Sequence, residues 1–150
     1  MKQQYLLDTN IISYLVNSNS PHREIIKKHL FSLSANDNVC VSIITLYELS
    51  YGLYSYKSSE KNIFLFKKGI ELIKDYLEVL PLDIKEVDIF GNLKSKYKNS
   101  TGIQSKINKQ NDLDFLIAAT AINHNLYLLA MIKFLINYLK LNLNLNMRIG

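Results

Sequence analysis

The chain has one cysteine, two prolines and five glycines in 150 residues, and no apolar run long enough to cross a bilayer. A single thiol cannot close an internal disulfide, so the fold has to hold without such staples. Cys40 lies in the apolar run Val39-Cys40-Val41 and reads as a small core residue of a buried strand. Scarce proline and glycine, beside 48% hydrophobic and 21% charged residues, exclude a low-complexity or disordered chain. The most apolar stretch, residues 126–141, is interrupted by Lys133 and Asn137. It falls short of the ~20 residues that span a membrane. Residues 1–10 hold too few apolar side chains before Asp8 for a secretion signal, so a cytoplasmic protein is expected.

Several kinds of chemistry are missing as well. The three histidines, His22, His29 and His124, are scattered without ligand spacing, and each reads as a surface or satisfied residue. No phosphate loop of the Walker type and no Gly-x-Ser-x-Gly elbow occurs. No acidic residue follows Asp114.

What is present has the form of an α/β protein. Short apolar runs at residues 5–7, 39–41, 77–80 and 126–129 read as strands, separated by stretches with helical periodicity. That alternation builds helices around a mainly parallel sheet, an α/β/α sandwich, and the length fits one domain over residues 1–150. Helices are expected from a start near Ile11, from Pro21 towards Leu33, and over residues 43–54, 60–76, 84–97 and 112–123. Residues 95–110 are polar and lysine-rich, and Asn99-Ser100-Thr101-Gly102 marks a break, so this segment reads as a loop. Lysine and arginine outnumber aspartate and glutamate by 18 to 13, a net charge of +5 that favours a polyanionic partner without naming one. Lys94, Lys96, Lys98, Lys106 and Lys109 read equally as phosphate contacts and as a solvated face.

Three acids stand where such a topology gathers ligands, beyond the carboxyl ends of parallel strands. Asp8 ends the first strand, Glu48 lies on the helix after the second, and Asp114 opens the helix before the last. Singly, each has an ordinary explanation: Asp8 and Asp112 or Asp114 as helix caps, Glu48 as a solvated residue. Gathered together, carboxylates repel one another unless a cation neutralises them, and magnesium prefers such hard oxygen ligands. A bound metal ion that lowers the pKa of its water serves phosphodiester hydrolysis well.

Three motifs then resemble a known family. Leu6-Leu7-Asp8-Thr9-Asn10-Ile11-Ile12-Ser13-Tyr14-Leu15 is similar to the opening motif of VapC-type PIN-domain ribonuclease toxins. Ser42-Ile43-Ile44-Thr45-Leu46-Tyr47-Glu48-Leu49-Ser50-Tyr51-Gly52 resembles the second, and Asp112-Leu113-Asp114-Phe115-Leu116-Ile117-Ala118-Ala119-Thr120-Ala121 the third. The resemblance covers about residues 4–129 in order and with family-like spacing. It implies a PIN-like fold and a magnesium-dependent endoribonuclease, with manganese as the substitute ion, using Asp8, Glu48 and Asp114 as catalytic metal ligands. It further implies Thr9, Asn10 and Thr45 as residues orienting those carboxylates or water, and Asp112 as an accessory acid or cap. Implied partners are structured RNA such as tRNA or ribosomal RNA, a VapB-like antitoxin that covers the acids, and a second copy of the chain.

The resemblance fails after residue 129. The family places a Thr-x-Asn or Thr-x-Asp motif there, then a phenylalanine and a short terminal strand, whereas this chain reads Ala130-Met131-Ile132-Lys133-Phe134. A frameshift near Ala130 would account for the departure: with ATG ATA AAA for residues 131–133 after a codon ending in A, the frame one nucleotide back reads Asn-Asp-Lys. With AAT ATG AGA ATT GG for residues 146–150, the same frame reads Tyr-Glu-Asn-Trp, a family-like ending. The codons are chosen, and the gene sequence decides. Two further readings stay open: a degenerate PIN domain that binds antitoxin or RNA with weak or no catalysis, and a non-enzymatic RNA-binding protein using its lysines.

Overall fold

A computed structural model of the chain describes residues 2–55, 57–102, 111–130 and 147–149. In chain order the elements are β1 (Gln4–Leu7), α1 (Thr9–Val16), α2 (Arg23–Phe31), β2 (Asn38–Ser42), α3 (Ile43–Tyr54), α4 (Glu60–Tyr76), β3 (Glu78–Leu80), α5 (Glu86–Thr101), α6 (Asp112–Asn123), β4 (Tyr127–Ala130) and β5 (Met147–Ile149). The strands form one sheet in the order β3-β2-β1-β4-β5, every pair parallel. This is the expected α/β sandwich, with β1 at its centre.

Successive strand side chains face opposite ways, so each strand feeds two cores. Leu6, Cys40 and Leu128 share one face with Leu93 and Tyr97 of α5 and Phe115, Ala118 and Ala119 of α6. Tyr5, Leu7, Val41 and Leu129 share the other with Ile11 and Ile12 of α1, Ile26 of α2, Leu49 of α3 and Ile73 of α4. With both faces covered, strands are apolar almost throughout instead of alternating, as the sequence of β1 and β4 shows. Small residues in α6 and at Gly52 of α3 permit close approach: a Cβ on Gly52 would lie 2.6 Å from the Phe66 ring of α4.

Helix bounds follow local chemistry. Asp8 accepts from the Ile11 N–H, Ser42 from that of Ile44 and Ser59 from that of Asn62, capping α1, α3 and α4. The helix expected from Pro21 begins two residues later, because a turn closed by the Arg23 N–H on the Ser20 carbonyl comes first. Another turn, in which the Glu86 N–H donates to the Asp83 carbonyl, delays α5 past Ile84.

The loop expected over residues 95–110 is corrected in its first half, since α5 continues to Thr101. Tyr97 is buried and its ring packs edge-on against Phe115 at 5.4 Å, which anchors the segment against its modest helix propensity. The Ser100 and Thr101 hydroxyls donate back to the carbonyls of Lys96 and Tyr97. The stop comes only at Gly102, whose φ of 63° places its N–H on the Lys98 carbonyl. Lys106, Lys109 and the rest of residues 103–110 lie outside the described residues, as do Met131, Ile132, Lys133 and residues 141–146, where leucine and asparagine alternate with the period of a strand. The short strand β5 was not anticipated; it runs beside β4 with Leu128 opposite Met147.

Candidate active site at the carboxyl ends of β1 and β2

Asp8 stands where β1 stops. Its N–H donates to the Leu129 carbonyl of β4 at 3.0 Å, so the residue is tied to the neighbouring strand at the same sheet edge. Its carboxylate accepts the Ile11 N–H at 2.8 Å, and it is 1% exposed. Asp8 is therefore a helix cap, whatever else it does.

Thr9 begins α1 and carries the link to the next motif. Its hydroxyl donates to the Glu48 carboxylate and lies 3.3 Å from the Thr45 hydroxyl, itself fully buried. Ser42 caps α3, so Thr45 falls in its first turn and Glu48 in its second, both turned towards α1. Asn10, exposed beside them, makes no hydrogen bond to these acids among the described residues.

Asp114 lies in the first turn of α6. Burial pushes its carboxyl up to about 6, and the charge of Glu48 pushes in the same direction. Glu48 is itself raised by burial, against which the Thr9 hydrogen bond works. The two acids thus repel across a half-buried space, and Asp114 bears the cost. Asp112 does not cap α6, because the cap position belongs to Asn111; its carboxylate instead forms an ion pair with Lys94 of α5.

Thr9, Thr45 and Glu48 are brought into contact, and Glu48 and Asp114 into electrostatic reach. Among the described residues, no group of three or more His, Cys, Asp and Glu side chains is arranged to hold a metal ion. The donor chemistry still fits a hard divalent cation, since Glu48 and Asp114 are half-buried carboxylates and the charge of Glu48 disfavours ionisation of Asp114.

Some features escaped the sequence. Glu86 is buried at the start of α5, where it accepts from the Thr120 hydroxyl at 3.0 Å and from Asn123 at 3.4 Å, with His124 Nε2 at 3.8 Å. It latches α5 to α6 at the end away from Asp114, and nothing in the spacing of 34 residues announces it. His29 departs from the expectation of a satisfied side chain: its Nε2 is buried with no hydrogen-bond partner among the described residues. Cys40 is core, with its thiol pushed up to about 12 by burial and then by the charge of Glu78.

The family model described as PIN domain matches residues 5–131. Ribonuclease VapC2 of Rickettsia felis is 31% identical over 121 residues, 81% of each chain. Ribonuclease VapC2 of Haemophilus influenzae is 33% identical over 127 residues, 85% of each. The solved VapBC2 of Rickettsia felis bound to a DNA fragment from its promoter superposes with a TM-score of 0.72, at 26% identity and 98% coverage of both chains.

Proposed function

This chain belongs to the PIN domain family, among relatives named VapC ribonucleases, and on that footing we propose that it is a magnesium-dependent endoribonuclease, the toxin of a VapBC toxin-antitoxin pair. The observation that carries the reading is the convergence of Glu48 and Asp114, two half-buried acids in repulsion, beside the Thr9 contact that joins the first motif to the second.

Asp8, Glu48 and Asp114 would hold the ion, with manganese as a substitute for magnesium. When bound, such an ion lowers the pKa of coordinated water and screens the charge of an attacked phosphodiester. The protein's own contribution is placement. Thr9 fixes one oxygen of Glu48, Thr45 buttresses Thr9, and the cap bond to Ile11 fixes Asp8. Asn10, at the rim, is assigned to orienting water or substrate.

The substrate class is RNA, tRNA or ribosomal RNA by analogy with the family. A VapB-like antitoxin is the assigned partner, supported by relatives solved as VapBC complexes, and it covers the acids. A homodimer and a cytoplasmic location complete the proposal; among the described residues no helix is long and apolar enough to cross a membrane.

The test is incubation of purified, folded protein with total RNA, with and without Mg²⁺, followed by mapping of new ends. New ends that need Mg²⁺ and vanish in Asp8→Asn are expected. Ends that persist in Asp8→Asn, or none at all, overturn the enzyme assignment. A degenerate, weakly cleaving PIN domain is kept as the second reading for one reason: no acid follows Asp114 to complete the ligand set.

A further inference from the structure

We infer that Lys94 is a positioning residue: its ion pair with Asp112 sets the first turn of α6 and through it the place of the Asp114 carboxylate. The inference rests on the reading of Asp114 as a metal ligand.

The first turn of α6 has no side-chain cap. Asp8, Ser42 and Ser59 each close a helix start with a side-chain hydrogen bond, whereas Asn111 at the start of α6, like His22 and Lys85 at those of α2 and α5, makes none. An uncapped first turn frays within the first few residues, where the amides have no partner inside the helix. Asp114 is in that turn, and it is also the residue that Glu48 repels. A contact from outside α6 would steady that turn.

One face of α5 does so. Phe90, Lys94 and Tyr97 recur at helical spacing, four and three residues apart, and all three engage the start of α6. Phe90 and Tyr97 meet the Phe115 ring edge-on at 6.5 and 5.4 Å. Lys94 reaches Asp112 while its ammonium sits 5.5 Å from the Phe90 ring centre. The contacts therefore fall on residues 112 and 115, on either side of Asp114.

The aromatic contacts fix how closely α6 approaches α5, but ring packing tolerates rotation and sliding. The ion pair is directional, and the Lys94 and Asp112 side chains are only 27% and 31% exposed, so it is screened less than a surface pair. It also engages the Asp112 carboxylate, leaving Asp114 as the acid of this turn that faces Glu48. The Glu86 latch secures the far end of the same helix pair, so loss of Lys94 loosens one end alone.

The experiment compares Lys94→Met, Lys94→Arg and Asp112→Asn with the unaltered chain in three measurements: Mn²⁺ affinity by calorimetry, amide hydrogen exchange, and thermal midpoint. Lys94→Met and Asp112→Asn are expected to weaken Mn²⁺ binding roughly tenfold, as loss of a group supporting a ligand does. The Phe115 amide, which donates to the Asn111 carbonyl, should exchange roughly tenfold faster while amides near Thr120 keep their protection. Lys94→Arg should restore both. Unchanged exchange at Phe115 overturns the inference, and so does faster exchange spread evenly along α6 with a lowered midpoint, which marks a merely structural role. Unaltered protein that binds no Mn²⁺ refutes the metal reading, and exchange at Phe115 then decides the positioning claim alone.

Discussion

The hydroxyl of Thr9 donates to the carboxylate of Glu48, 39 residues further along the chain, and this bond ties the first motif to the second. It favours the charged form of Glu48, against the burial that raises its pKa. Thr9→Val keeps the shape and removes the donor. The expected result is roughly a tenfold loss of kcat in Mg²⁺-dependent cleavage, with the acidic limb of the pH profile moved upward. Thr9→Ser should behave like the natural residue. An unmoved pH profile in Thr9→Val would show that the contact has no hold on Glu48.

Asp8 has two jobs that substitution can separate. Asparagine caps helices as well as aspartate does, so Asp8→Asn should leave the thermal midpoint within a few degrees while abolishing metal-dependent cleavage. Asp8→Ala removes the cap too and should cost about 1 kcal/mol of stability besides. Denaturant titration of both variants checks this. Equal stability of the two would mean that the bond to the Ile11 N–H contributes nothing.

Asp114 predicts a pH effect of definite sign. Its carboxyl is raised from 3.8 to about 6 in the folded protein, so between those values the folded chain holds a proton that the unfolded chain has released. Stability contributed by this group is therefore greatest below 3.8, falls as pH rises towards 6, and stays lost above. Asp114→Asn removes the penalty. Without metal at pH 7 it should be more stable by on the order of 1 kcal/mol, allowing for solvent screening, or a few degrees in midpoint. The difference should vanish near pH 4. Scanning calorimetry across this range settles the matter, and a destabilised Asp114→Asn at pH 7 would contradict the assignment.

The tail offers a fourth test. Replacing the residues after 129 with a family-like ending that restores an acid should raise the cleavage rate, because a second metal ion needs ligands on that side. The gene sequence at the codons for residues 130–133 and 146–150 tests the frameshift directly. Equal rates for the natural and repaired chains would remove the argument from a fourth acid.

The legible parts of the fold are those written locally. Ser42 and Ser59 stand immediately before apolar periodicity, so α3 and α4 begin where the sequence places them. Asp112 opens α6 as expected, yet its partner Lys94 was unreadable, because an ion pair across 18 residues depends on how two helices dock. The end of α5 was misread for the same reason: Tyr97 on Phe115 is a tertiary contact that overrides the propensity of Asn99, Ser100 and Thr101. For the site, the three motifs named the acids, but the convergence of Glu48 and Asp114 is visible only once α3 and α6 are folded. Glu86 resembled any other acid at a helix start until Thr120 and Asn123 closed over it.

The order β3-β2-β1-β4-β5 has a consequence for how the protein is born. β1 leaves the ribosome early and can pair with β2 after a short wait, but its other neighbour, β4, is more than a hundred residues away. Such distant pairing is slow to form and must await synthesis of the second partner. The bond from the Asp8 amide to the Leu129 carbonyl is thus among the last to close, and Asp114 is itself a late arrival. A growing chain holds two of the three motifs for much of its synthesis without the third to complete them. Fragments that stop before β4 should be inert, and a cell making this protein has the interval between translation and closure of the sheet in which to meet it with a partner.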